Sequence, residues 1–219
     1  MILCLSGCKG KSKSNRPDRD ALNAANVGSY VFIGEYEQDN NEATGKEAIE
    51  WLVLAKEKDR MLVISRYALD CKPYNEEWVG ATWETCSLRA WLNQTFYEVA
   101  FIPEEKNVIM DTTVTAAANP KYVTEEGNDT TDRLFLLSLE EAERYFLNDS
   151  TRGCRGTPSC YALGAFESEE KCIWWVRSPG YNPSMAACVR SDGRTDYTGL
   201  TNNVERIAVR PALWIDLKP

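Results

Sequence analysis

Three short apolar runs limit what this chain can fold into. Tyr30 to Tyr36 (YVFIGEY), Ile49 to Ala55 (IEWLVLA) and Met61 to Tyr67 (MLVISRY) are each 7 residues long. That is the length of a strand, and the runs are rich in the aromatic and β-branched residues that fit a pleated surface. The charged segment Lys56 to Arg60 (KEKDR) between the second and third runs predicts a hairpin. No stretch approaches the ~18 apolar residues of a membrane-spanning helix.

Helical periodicity follows. From Ser87 to Ala100 the side chains of Leu88, Trp91, Leu92, Phe96, Val99 and Ala100 recur on one face. Pro103 then suits the start of a second, short helix. Ile109 to Val114 reads as a strand, 116–132 as a long polar loop, and Arg133 to Leu137 as a buried strand. Ser138 and Glu141 form a capping box that opens a helix over Leu139 to Leu147, and Asn148 to Ser159 reads as a loop. The C-terminal third changes period. Cys172 to Arg177 and Ala186 to Arg190 are strands, Asp192-Gly193 is a hairpin turn, and Ile207 to Leu217 is the last strand. Pro211 inside it cannot donate to a ladder, so it belongs at an edge or bulge. Early helices and late strands predict an α+β domain, with helices packed on antiparallel sheets and a β-rich C-terminal third.

Composition narrows the function. The 219 residues are 43% hydrophobic and 11% aromatic, which suits one ordinary core. The net charge is −8, with no basic block, so nucleic acid is not an expected partner. The chain has no histidine. That removes Ser-His-Asp and Cys-His catalysis and every histidine metal site. Catalysis would have to run on carboxylates, thiols, tyrosine or lysine. The adjacent pairs Glu76/Glu77, Glu125/Glu126 and Glu169/Glu170 lack the spacing across a sugar that a glycosidase needs. No cofactor is called for. The aspartates near the C-terminal hairpin admit Ca²⁺, but the EF-hand spacing is absent.

The N-terminus points to export. Leu5-Ser6-Gly7-Cys8 resembles the lipobox of bacterial lipoproteins, in which the cysteine is acylated. On that reading residues 1–8 are a signal-peptide remnant with its lipobox, 9–29 a flexible polar tether, and 30–219 a single globular domain. The expected location is the bacterial cell envelope, with the domain lipid-anchored through Cys8 to a membrane and facing outside the cytoplasm. Six cysteines in an exported body suggest disulfides, and the preferred pairs are Cys71–Cys86, Cys154–Cys160 and Cys172–Cys188. Free buried thiols acting as small apolar residues are the alternative.

Four motifs carry a family resemblance. They are Asp70-Cys71-Lys72-Pro73-Tyr74-Asn75, Thr82-Trp83-Glu84-Thr85-Cys86 leading into Leu88-Arg89-Ala90-Trp91-Leu92-Asn93, Trp174-Trp175-Val176-Arg177-Ser178-Pro179-Gly180, and Val209-Arg210-Pro211-Ala212-Leu213. Together they resemble a bacterial domain family of unknown function, frequent in exported proteins of gut anaerobes, over residues 30–217. Its C-terminal end is similar to the C-type-lectin-like fold of sulfatase-modifying enzymes. That resemblance implies the fold alone, because the enzymes' paired-cysteine oxidase signature is absent here.

The candidate ligand surface lies in the C-terminal third. Trp175, Arg177, Tyr181, Asp192, Arg194, Asp196, Tyr197 and Asn202 are expected on one concave face, where rings stack on a ligand and charges orient it. Strand alternation lets only one of Trp174 and Trp175 face a ligand. Arg177 and Arg210 also read as structural, packed on an aromatic ring or paired with a carboxylate. The expected function is an envelope-anchored binding module for a glycan, a peptide or a surface protein. The alternatives are an enzyme using cysteine or carboxylate chemistry, with Cys188 as a candidate reactive thiol, and a purely structural surface domain.

Overall fold

A computed structural model describes residues 18–218. The expected lipobox with Cys8, and residues 9–17 of the expected tether, lie outside the described residues. The rest of that tether is ordered. Asp18 caps a helix, α1 (Arg19–Ala24), by accepting the Ala21 amide at 3.0 Å. Leu22 is buried, and Lys56 Nζ donates to the carbonyls of Asn23 at 2.7 Å and Ala25 at 2.6 Å. One leucine among Asn and Ala gives no periodic signal, so the helix is not visible in the sequence.

The strands that follow are β1 (Tyr30–Tyr36), β2 (Glu47–Lys56), β3 (Arg60–Ser65) and β4 (Asp70–Cys71). The β2–β3 hairpin is present, closed by the Glu57 amide donating to the Arg60 carbonyl at 2.8 Å. Next comes a continuous helical stretch: α2 (Ser87–Trp91), a π-helical turn at Leu92–Phe96, and α3 (Tyr97–Ala100). The wider π turn rotates the residues beyond it by most of a helical position. Ala100 is therefore buried, and Val99, expected inside, is 45% exposed.

The short helix α4 (Pro103–Lys106) begins at its proline as expected. β5 (Thr112–Val114) pairs with β6 (Thr130–Asp132) and closes the polar loop at its base. Leu134 to Leu137 of the RLFLL run are buried, but the run is not a strand; Phe135 alone bridges to Ala212. The capping box opens α5 (Leu139–Tyr145), with the Glu141 amide 3.1 Å from Ser138 Oγ. The expected loop after it holds two short helices, α6 (Asp149–Arg152) and α7 (Pro158–Ala162).

The remaining strands are β7 (Glu167–Ser168), β8 (Lys171–Cys172), β9 (Trp174–Pro179), β10 (Met185–Val189), β11 (Thr195–Thr201), β12 (Ala208–Val209) and β13 (Ala212–Asp216). One sheet has the order β1-β2-β3-β13 and is antiparallel. The other has the order β11-β10-β9-β12-β4, with β12 parallel to β9. The fold is α+β, mostly strands, and buried residues of both sheets form one cluster.

Pro211 does not sit at the edge of one long strand. It ends one strand and begins another, because Arg210-Pro211 carries the chain from β12 in the second sheet to β13 in the first. The stretch from β3 to β4 makes the reverse crossing alongside it. The Ser65 amide donates to the Pro211 carbonyl and the Leu69 amide to the Val209 carbonyl, both at 2.9 Å.

The Asp192-Gly193 turn joins β10 to β11, with Gly193 at φ +88°. A Cβ there would sit 1.8 Å from the Asp149 carbonyl oxygen, whereas one at Gly28, with φ +87°, would meet nothing within 4 Å. Both substitutions to alanine lose about 1–2 kcal/mol from the left-handed backbone. Gly193→Ala is expected to lose more, because the turn must also move off α6. Urea denaturation of the two variants side by side checks this.

Candidate functional site

The predicted C-terminal face divides on the structure. Trp174 and Trp175 are both fully buried, so neither faces a ligand. Alternate side chains of β9 have different protein partners: Trp174 lies 5.1 Å from the Arg210 guanidinium, and Trp175 packs edge-on to Tyr74 at 5.8 Å. Trp175 Nε1 donates to the Lys72 carbonyl at 2.9 Å. Arg177 is buried too, in a two-toothed pair with Glu141 and a 2.9 Å bond to the Leu136 carbonyl. Asn202 is buried, donating to the Val79 carbonyl at 2.6 Å.

The other five stand at or near the surface but mostly engage one another or their neighbours. Asp192 holds Arg194 at 2.7 Å, and Asp196 holds Arg190. The two carboxylates at which the sequence admits Ca²⁺ therefore each carry an arginine. Tyr197 donates to Glu143 and lies under the Lys121 ammonium at 3.6 Å, while exposed Tyr181 meets Tyr122 edge-on at 5.0 Å. None of the eight lines the hollows described next.

The six body cysteines are buried free thiols, so none of the three preferred disulfides is formed. Short sequence separation did not decide their neighbours. Cys154 lies directly opposite Cys172 in an antiparallel bridge, and not beside Cys160. Burial pushes the thiol of Cys188 up to about 12, that of Cys86 to about 12 and that of Cys71 to about 11. Cys188 is thus a packing residue and a poor nucleophile at neutral pH.

The structure gathers a different set of residues. Tyr30 and Phe32 point outward from β1, 44% and 60% exposed, opposite Leu52 and Glu50 of β2. The crossing after β3 adds Arg66 and Tyr67. The Arg66 guanidinium lies 4.8 Å from the Tyr30 ring and 5.1 Å from the Tyr67 ring, and pairs with Glu50 at 2.6 Å.

Two adjoining hollows share Tyr67 and Arg155. The larger, about 450 Å³, is bordered by Phe32, Gln38, Asp39, Glu47 and Glu50. The smaller, about 300 Å³, is bordered by Tyr30, Arg66, Lys171 and Arg210, with Cys154 in its wall and no carboxylate among its lining. One end of the groove is acidic, the other basic, and aromatic rings stand between them.

The acidic end has local work to do. Carboxylate oxygens of Glu37, Asp39 and Glu47 lie within 4.8 Å of one another. Glu47 accepts the amides of Gln38 at 2.8 Å and Asp39 at 3.2 Å, and Glu37 accepts the Asn41 amide at 2.9 Å. These bonds shape the turn between β1 and β2.

Residues 58–217 match the model of a family described as a domain of unknown function, DUF6273. The chain belongs to this family. The DUF6273 match starts at the β2–β3 turn and ends after β13, so Tyr67, Cys154, Arg155, Cys172 and Arg210 fall inside it and Tyr30 and Phe32 fall outside. No curated protein and no solved structure matches the chain.

Sequence reasoning missed this groove because its walls come from stretches far apart in the chain, from Tyr30 to Arg210. The run YVFIGEY reads as apolar throughout, and only the pairing with β2 separates outward Tyr30 and Phe32 from inward Val31 and Ile33. Trp175→Ala is expected to cost about 3–5 kcal/mol, the usual loss for a buried aromatic ring. A fall in the urea midpoint at unchanged slope checks it.

Proposed function

We propose that this DUF6273 domain is an envelope-anchored binding module and that the groove between β1 and Arg155 is where it holds its ligand. The observation that carries the reading is the row of aromatic rings, Tyr30, Phe32 and Tyr67, beside a basic hollow in a chain of net charge −8. Aromatic faces stack on sugar rings, and guanidinium and ammonium groups hold carboxylate or sulfate. The ligand class that uses both is an acidic glycan. The lipobox-like Leu5-Ser6-Gly7-Cys8 supports anchoring, and one antiparallel and one mixed sheet with peripheral helices are compatible with a C-type-lectin-like arrangement.

A glycan and peptide array with the full chain tests the reading. Acidic glycans are expected to bind, neutral ones weakly, and binding is expected to weaken as salt screens the basic hollow. Phe32→Ala and Arg155→Ala should each weaken binding about tenfold, equivalent to about 1.4 kcal/mol, while Tyr181→Ala leaves it unchanged. Loss with Tyr181→Ala and retention with Phe32→Ala would move the site to the C-terminal face. Binding of peptides alone would replace the ligand class, and an array without hits would remove the binding reading. Metabolic labelling with a lipid analogue, abolished by Cys8→Ser, tests the anchor separately.

A further inference from the structure

Cys154 is the one thiol of the six that both meets a second thiol and borders a hollow of basic side chains. The Cys172 amide donates to the Cys154 carbonyl at 2.8 Å, and Cys172 Sγ lies 3.4 Å from that same oxygen. Directly opposed residues of an antiparallel bridge have Cα atoms about 4.5–5.5 Å apart. That lies within the about 4.4–6.8 Å that a disulfide spans.

The charges around the pair favour a thiolate. Arg210 is 3% exposed, and no carboxylate pairs with it among the described residues. Its guanidinium bonds two backbone carbonyls, those of Ser65 at 3.0 Å and Arg152 at 3.3 Å, and lies over Phe146 and Trp174. A buried cation of this kind lacks a counter-charge, which an ionised thiol would supply. Burial pushes the Cys154 thiol up, but the hydrogen bond from Cys172 and the charge of Arg210 outweigh it. The net direction is downward from its ordinary value, and in the neutral form Cys154 Sγ donates to the Arg155 carbonyl at 3.2 Å. Cys172 moves the other way, raised first by its hydrogen bond to Cys154 and then by burial.

We infer that Cys154 and Cys172 form a redox-active dithiol, that Cys154 reacts first through the basic hollow, and that its substrate is a small disulfide carrying carboxylates. The Cys154 thiolate attacks one sulfur of the substrate. The substrate's S–S bond breaks, a mixed disulfide forms on Cys154, and the first half leaves as a thiolate that takes up a proton. Cys172 then loses its proton and attacks Cys154 Sγ. The mixed disulfide breaks and the second half leaves as a thiol. The two cysteines are oxidised to a disulfide, and one substrate disulfide is reduced to two thiols. Lys171 at the mouth holds a carboxylate, and Arg155 holds another by exchanging its partner Glu170 for it, while Gly153, with no side chain, leaves room for the Lys171 stem at 3.1 Å from where a Cβ would stand. This inference does not depend on the groove binding a glycan.

Oxidised glutathione is the probe, applied at neutral pH to the full reduced chain, followed by alkylation and tryptic mapping. Cleavage after Arg152, Arg155, Lys171 and Arg177 places Cys154, Cys160 and Cys172 in separate peptides. The wild-type chain is expected to give one cross-link, between the peptides Gly153–Arg155 and Cys172–Arg177. Cys172→Ser should stop at one glutathione on Cys154, and Cys154→Ser should take up none at either position. Without oxidant, Cys154 should alkylate at least about tenfold faster than Cys188, following the thiolate fraction. A cross-link that joins other body cysteines, glutathione left on Cys154 of the wild-type chain, or thiols at 154 and 172 that stay unreacted would each overturn the inference. The wild-type map decides the matter even if a variant fails to fold.

Discussion

The two sheets of this domain depend on a pair of crossings that run side by side. Residues 66–69 take the chain from β3 to β4, and Arg210-Pro211 brings it back from β12 to β13. Each crossing supplies the other's hydrogen bonds: Ser65 to Pro211, Leu69 to Val209, and Arg210 Nε to the Ser65 carbonyl at 3.0 Å. Buried backbone must find such partners, and here no ladder of a single sheet could provide them. Proline fits this position because its missing N–H is not needed and its carbonyl still accepts. The same crossing needs a long side chain that reaches back to cover its neighbour's carbonyl, and Arg210 fills that place.

The groove follows from this joint. Arg66 and Tyr67 belong to the outward crossing, and Ala68 ties it to the segment before α7: the Ala68 amide donates to the Arg155 carbonyl, and the Thr157 amide to the Ala68 carbonyl, both at 2.9 Å. The loop that carries Cys154 and Arg155 is thereby held against the end of the first sheet. Tyr30 and Phe32 arrive from the β1 edge. A site built on a joint between sheets gains fixed walls from both, which loops alone would not give.

Much of the fold was legible where the signal is local. The β2–β3 hairpin, the Ser138 capping box, the helix start at Pro103 and the Asp192-Gly193 turn each depend on a few adjacent residues. What escaped depends on distant parts of the chain. The split at Pro211 is invisible until β12 and β13 have found different sheets. Both tryptophans of β9 are buried because protein covers both faces of that strand, and a single strand's alternation cannot reveal this. The cysteine neighbours were misread for the same reason. Cys154 lies six positions from Cys160 and eighteen from Cys172, yet strand pairing sets the contact. The candidate ligand surface fared worst, since Trp175, Arg177 and Asn202 are core residues.

The two buried arginines show why similar motifs need different readings. Both follow an aromatic or β-branched strand residue, and both pack near rings: Arg177 lies 6.0 Å from Phe135, Arg210 5.1 Å from Trp174. Arg177 is neutralised by Glu141, the acid that also completes the capping box of α5. Its charge is used up inside the fold. Arg210 has carbonyl dipoles and ring faces but no carboxylate among the described residues. Carbonyls and rings stabilise a guanidinium without cancelling its charge, so a positive potential remains at the hollow beside Cys154. Solvent reaches that hollow, where Glu50 pairs with Arg66 and Glu170 with Arg155, so Arg210 and Lys171 are the lining cations with no carboxylate partner among the described residues. The unspent charge therefore acts on whatever is nearest: the thiol in the wall first, and an anionic ligand second.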